Sequence, residues 1–190
     1  MEETILRDLS VLNWKDILDQ ALKEPTRLPI ILQHFSVTTS DLIQVARRSE
    51  SIFEPYGRQV LYRSPDIEVM LAHWSYDAAS CPHNHGFSKG LIWFMQGSFQ
   101  EQHFEFKNRA LNKIGDVIKY NQGEVTLVMS NDIHSSRSLA NGISLHLYSP
   151  SIHSMKVWDT DNQETLTVAD ECGAWVPKDQ ALITKRVKWT

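Results

Sequence analysis

Apolar residues recur with two different periods along this chain, and the change of period divides it. Trp14, Ile17, Leu18, Ala21 and Leu22 fall at i, i+3, i+4, i+7 and i+8, one face of a helix, and Pro25 stops it. Ile5, Leu9 and Leu12 make a shorter run of the same kind upstream. In TTSDLIQVARR, Thr39 or Ser40 is the expected N-cap, with Asp41 in the first turn and Arg47 and Arg48 near the end, where each charge suits the helix dipole. Residues 1–50 therefore read as largely helical.

Beyond them the pattern becomes one of strands. RQVLYRS, DIEVMLAHW, GLIWFM, SFQEQHFEF, DVIKY, EVTLVMS, GISLHLYS and HSMKVWD are short and rich in β-branched and aromatic residues, and turn-forming runs such as SPD, QGS, NQG and ANG separate most of them. Many short strands at regular spacing predict a sandwich or barrel. SFQEQHFEF alternates as a half-exposed strand does, whereas GLIWFM is apolar throughout and is expected to be buried on both sides. ETLTVAD is a candidate last strand, and the tail AWVPKDQALITKRVKWT has no clear assignment. The expected organisation is one domain over 1–190, with the helical part at 1–50 and a β-barrel at 51–170.

Composition narrows the function classes without naming one. The chain is 42% hydrophobic and 22% charged, ordinary for a globular protein. A net charge of −4 with no long basic run argues against nucleic acid or an anionic membrane as partner. No apolar stretch reaches the length of a membrane span. The N-terminus, MEETILRDLSVLNW, is acidic where a signal peptide is basic. Cys81 and Cys172 do not make a disulfide framework, so a reducing, cytoplasmic setting is expected.

The candidate chemistry lies in CPHNHGFSKG. A lone histidine is usually a solvated or satisfied side chain, and the chain has eight. His83 and His85 are a pair: in an extended segment they share a face, ~6.5–7 Å apart along the chain, and can converge on one ion. A polar turn with two exposed histidines is the competing reading. The surrounding residues are similar to the paired motifs of germin-like cupins, G-x5-H-x-H-x4-E-x6-G and G-x5-P-x-G-x2-H-x3-N. The first places its histidines on His83 and His85 and its last glycine on Gly97. The second starts at Gly123 and places its histidine on His134. The chain departs from the pattern at Asp77, Met129, Asn131 and Ser138, although Asn tolerates the left-handed backbone that a motif glycine adopts. Gly90 stands at the glutamate. The implied ligand set is therefore three neutral imidazoles, which leave a dication uncompensated and several positions open, suiting an anionic thiolate and O2. Imidazoles alone fit Fe, Zn, Cu or Ni. A zinc hydrolase is disfavoured because no carboxylate near the His-x-His pair is placed as a general base.

A second constellation lies in NGISLHLYSP. On a strand Ser144, His146 and Tyr148 share one face, and Ile143, Leu145 and Leu147 the other. An amphipathic edge strand would show the same alternation. In a barrel the polar set is expected to line a cavity, where hydroxyl, imidazole and phenol can pass hydrogen bonds along a line.

SLHLYSP, with His-x-His upstream, resembles the cysteine dioxygenase family, the thiol dioxygenase branch of the cupins. YGRQVLY matches in the same sense, with Tyr56 and Arg58 where that family places its tyrosine before the barrel and its substrate-carboxylate arginine. The likeness covers about residues 50–160, the whole predicted barrel. It implies a mainly β, cupin (jelly-roll) barrel behind an N-terminal helical segment. It also implies Fe(2+) on His83, His85 and His134, with Tyr56 and Arg58 binding substrate and Arg58 gripping its carboxylate. Tyr148 would act at the bound thiol and oxygen, oriented by Ser144 and His146. The implied reaction takes L-cysteine and O2 to cysteine sulfinate. Relatives acting on 3-mercaptopropionate tend to carry glutamine at the position of Arg58, so arginine favours cysteine. A dioxygenase for another small thiol, or a cupin that only binds or senses a small molecule, is the alternative. The crosslinking cysteine of the animal enzymes corresponds to Gly90, so Tyr148 is expected to be uncrosslinked and Cys81 a plain thiol. The loop between His134 and Ser144 is expected to be shorter than theirs. The expected partners are the thiol and O2, with a monomer or weak dimer as the assembly.

Overall fold

The computed structural model describes Leu9, residues 12–47 and residues 54–190; Ile5 and Arg48 of the expected helical runs lie outside them. The first helix, α1 (Trp14–Ala21), buries Trp14, Ile17, Leu18 and Ala21, the face its periodicity marked, and Asn13 caps it by accepting the Asp16 N–H. Pro25 ends that path and opens a 3₁₀ turn that leads into α2 (Leu28–His34). The third helix, α3 (Thr39–Arg47), is capped one residue earlier than expected. Thr38 and Asp41 form a reciprocal box: the Asp41 N–H donates to Thr38 Oγ1 at 3.2 Å, and the Thr38 N–H donates to Asp41 Oδ2 at 2.9 Å. Thr38 displaces Thr39 and Ser40 as the cap because only it stands three residues before that carboxylate.

Eleven strands follow among the described residues. A five-stranded sheet has the order β1 (Gly57–Ser64), β2 (Ile67–Trp74), β8 (Gly142–Ser149), β3 (Lys89–Gln96), β6 (Val125–Val128). A second sheet is β5 (Ala110–Asn121), β4 (Ser98–Lys107), β7 (Ile133–Ser138), and a third is β11 (Ile183–Lys188), β10 (Glu164–Val168), β9 (Lys156–Asp159). The segment carrying His83 joins the last two, bridging to His134 on β7 and to Val157 on β9. The result is the expected mainly β cupin jelly roll with helices at its N-terminal side. Pairing continues past residue 170, because the unassigned tail supplies β11. No helix among the described residues is long and apolar enough to cross a membrane.

The central strands β2, β3 and β8 of the five-stranded sheet are buried on both faces, which explains their apolar runs. Val69 and Leu71 of β2, Leu91 and Trp93 of β3, and Leu145 and Leu147 of β8 pack with Ile17, Leu18, Leu28 and Leu42 of the helices. The alternate residues Met70, Ala72, Trp74, Ile92, Phe94 and Tyr148 face the barrel interior. Alternation along each central strand thus separates a stabilising layer from the layer that meets the cavity.

Gly90 sits on β3 opposite Tyr148 of β8. A Cβ there would lie 1.9 Å from the Leu147 carbonyl oxygen and 2.9 Å from the Tyr148 Cα, both backbone atoms that no side-chain rotation can clear. Neither a glutamate nor a cysteine can stand at 90 while β3 and β8 keep this approach. Gly90→Ala is expected to lower stability by about 1–3 kcal/mol through overpacking, read as a lower midpoint in urea unfolding. An unchanged midpoint would show that the two strands can separate at this point.

Candidate metal centre

Backbone pairing brings the histidines together. His83 and His134 are directly opposed, and each donates its N–H to the other's carbonyl, at 2.9 and 3.0 Å. Opposed residues project side chains to the same face, and His85, two residues on, shares it. The ring centroids of His83 lie 4.8 Å from those of His85 and 4.6 Å from those of His134, and His85 and His134 are 5.1 Å apart. All three residues are buried, and one ring nitrogen from each lies within 4.8 Å of the others. Among the described residues no other trio of His, Cys, Asp or Glu meets that test.

Their hydrogen bonds fix which nitrogen is free. His83 donates from Nδ1 to the Cys81 carbonyl at 2.9 Å, and His134 donates from Nδ1 to Glu101 Oε2 at 2.9 Å. In a neutral ring that bond leaves the lone pair on Nε2. Among the described residues, His134 Nε2 and His85 Nδ1 are buried with no hydrogen-bond partner. Burial, reinforced by the neighbouring His134, pushes His83 down to about 3. Burial, with His83 and His134 beside it, takes His85 well below its ordinary value. Three buried imidazoles that each bring a ring nitrogen within 4.8 Å of the others, two of them with an unpartnered nitrogen, are what a first-row dication needs, so the residues fit a metal ion.

Glu101 supports the cluster from β4. Its Oε1 accepts from His103 Nε2 at 3.0 Å while Oε2 serves His134. Burial pushes this carboxyl up, but the hydrogen bonds from His103 and His134 outweigh it and hold the group down to about 2. An anion behind a ligand histidine fixes its tautomer and raises its basicity.

The polar face of β8 forms the expected relay. Trp74 Nε1 donates to Ser144 Oγ at 2.9 Å, Ser144 Oγ meets His146 Nε2 at 2.7 Å, and His146 Nδ1 meets Tyr148 Oη at 2.9 Å. Burial first, then His134 and Arg58, hold His146 down to about 3, so it is neutral. Burial raises Tyr148 well above its ordinary value, so it keeps its proton. The Tyr148 ring stacks on His85, with centroids 4.6 Å apart.

One cavity is lined by His83, His85, His134, Tyr148, Arg58 and Tyr56. Tyr56 stacks on Trp74 at 4.2 Å, and its hydroxyl accepts the Ala174 N–H at 3.0 Å. Burial pushes that phenol up to about 12. Arg58, with 10% of its side chain exposed, pairs with the fully buried Glu68. Cys81 and Cys172 are both free thiols. Only residues 139–141 separate β7 from β8.

All eight anticipated site residues come together, but six contributors carry no motif. Glu68 and Glu101 are carboxylates on inward positions of β2 and β4, and each strand's alternation was the available signal. Trp74 is masked as one more core aromatic. Cys172, Gly173 and Ala174 wall the cavity from a stretch without periodicity. Two departures from the cupin motifs keep its backbone: Asp77 and Asn131 stand at motif glycines with φ of 64° and 68°.

Against known families, residues 39–161 match the family model described as Cysteine dioxygenase type I. Similar solved structures include KdgF from Halomonas sp., with 17% identity, TM-score 0.44, and 53% of this chain and 85% of that one covered. A double-stranded β-helix protein from Klebsiella pneumoniae has 14% identity and TM-score 0.49 over 59% and 87%. An RmlC-like cupin from Shewanella frigidimarina has 19% identity and TM-score 0.44 over 53% and 81%. Likeness at this level does not extend to the chemistry of a site.

Glu101→Gln keeps the side chain's shape and removes its charge. It is expected to weaken metal binding by about 10–100-fold, measured as the metal retained during titration with a chelator. Retention equal to wild type would show that Glu101 serves only the fold.

Proposed function

The chain belongs to the cysteine dioxygenase type I family, and on that premise we propose that it is a ferrous-iron thiol dioxygenase that converts L-cysteine and O2 to cysteine sulfinate. Family and cluster together make it a cysteine dioxygenase-like enzyme with a three-histidine metal site, acting on a small thiol with O2. Iron as the metal and cysteine as the thiol are the finer parts of the proposal. The observation that carries them is that an arginine, a phenol and three clustered histidines line one cavity.

His83, His85 and His134 would hold the iron, which when bound supplies a place for the thiolate and for the activation of O2. Three neutral ligands leave the full dication charge to be met by substrate, and this favours a thiolate over a neutral thiol. Arg58 takes the substrate carboxylate; guanidinium suits that planar anion. Tyr148 is a hydrogen donor rather than a phenolate, because burial keeps its proton on. When Ser144 donates to His146 Nε2, His146 Nδ1–H donates to Tyr148 Oη, and the phenol hydrogen is left to point into the cavity. The apolar wall of Met70, Ile92, Ile152 and Met155 limits water there.

The balance needs no further reactant. A thiolate and O2 give a sulfinate: the O–O bond breaks, two S–O bonds form, and sulfur supplies all the electrons that reduce O2. No external reductant enters.

Iron-loaded protein is expected to consume O2 in step with cysteine, recorded with an oxygen electrode. Tyr148→Phe is expected to lower kcat by about 10²-fold or more while its iron content stays at the wild-type level. No thiol-dependent uptake with cysteine, 3-mercaptopropionate or cysteamine would overturn the proposal.

A further inference from the structure

We propose that Glu68 is a positioning residue for substrate choice, holding the Arg58 guanidinium in place for the carboxylate of a thiol substrate. With Arg63 it also sets the charge that Arg58 presents. The proposal rests on the reading of Arg58 as the carboxylate-binding residue.

Glu68 is out of place by composition. On β2 it leads the inward set Glu68, Met70, Ala72 and Trp74, and its side chain is completely buried. It stands in register with Arg63 of β1 on one side and Tyr148 of β8 on the other. Its Oε1 accepts from Arg58 Nη2. Its Oε2 accepts from Arg63 Nε at 3.1 Å and from Ser151 Oγ at 3.3 Å. A buried carboxylate is tolerable only when so engaged.

Arg58 is correspondingly constrained. Nη2 is held by Glu68, and Nε points at Met70 Sδ at 3.2 Å. Nη1 reaches the Glu171 carbonyl at 3.5 Å, the longest of the three contacts, so its donors are the least committed. Arg58 lines the cavity and Glu68 does not, so the carboxylate grips the guanidinium from outside the space a substrate would fill. Alone, the Arg58–Glu68 pair would be neutral. Arg63, on the other oxygen of Glu68, restores one positive charge to the group, and it does so from a side chain that is 32% exposed. The trio therefore offers a substrate carboxylate one unbalanced charge on an arginine whose direction is fixed. A thiol without a carboxylate makes no use of it.

Binding of cysteine and of cysteamine, which lacks the carboxylate, is measured anaerobically by calorimetry on iron-loaded wild type, Arg58→Gln and Glu68→Gln. Both variants are expected to weaken cysteine by about tenfold or more and leave cysteamine within about twofold. If Glu68→Gln weakens both thiols alike, or leaves cysteine unaffected while Arg58→Gln weakens it, the role of Glu68 is overturned and that of Arg58 stands. If Arg58→Gln itself spares the discrimination, the reading of Arg58 fails and this proposal with it. Should Glu68→Gln not fold, Glu68→Asp keeps the charge on a stem too short to span both arginines. The same cysteine-only loss is expected of it, and parallel loss of both thiols overturns the proposal.

Discussion

Three imidazoles buried side by side are the constraint on which the rest of this protein turns. A buried polar nitrogen left without a partner costs about 1–3 kcal/mol, and two such atoms are collected in one small space here. No protein group satisfies these two, and the three rings that carry or adjoin them bring their nitrogens close enough to share one ion. The fold is arranged to produce that convergence. His83 and His134 exchange backbone hydrogen bonds, so the strand pairing that closes the barrel also sets the distance between two ligands. His85 follows from the pleat. Breaking the site and opening the barrel are therefore the same event at this point.

Charge explains the remaining residues. The ligand set carries none, so each anion nearby matters. Glu101 lies behind a ligand histidine, and Glu68 lies behind an arginine at the cavity wall. Neither faces the cavity itself, and the carboxylate that does line it, Asp170, is paired with His153 Nδ1 at 2.5 Å. Gly90 completes this logic. The close approach of the Leu147 carbonyl excludes any side chain at the position where a fourth, charged cupin ligand would stand. The same approach presents Tyr148 toward His85.

Much of this was legible in the sequence because it rests on spacing. The helical face of α1 and the alternation of β8 follow from period alone, whereas the His-x-His pair pointed to a metal only beside the spaced His134 and the resemblance to the family. The strand β7 was not legible. IHSSRS has almost no apolar residues, since His134, Ser136 and Ser138 are its buried positions and the first two line the cavity. Strand detection relies on apolar alternation, and it fails where function has replaced the core with polar groups. The tail was opaque for a related reason. Its Ala174, with Cys172 and Gly173 just before it, contributes wall and backbone to the cavity rather than a hydrophobic stripe, and β11 is mostly exposed. Glu68 and Glu101 could have been placed inward by alternation, but no pattern announces that a buried carboxylate works through its neighbour.

The most direct test is a crystal structure of the anaerobic protein with iron and cysteine, using anomalous scattering at the iron edge to identify the metal. A single iron bound by His83, His85 and His134, carrying the cysteine sulfur with its carboxylate on Arg58, is the predicted result. Iron bound elsewhere, or held by fewer than these three histidines, would contradict it.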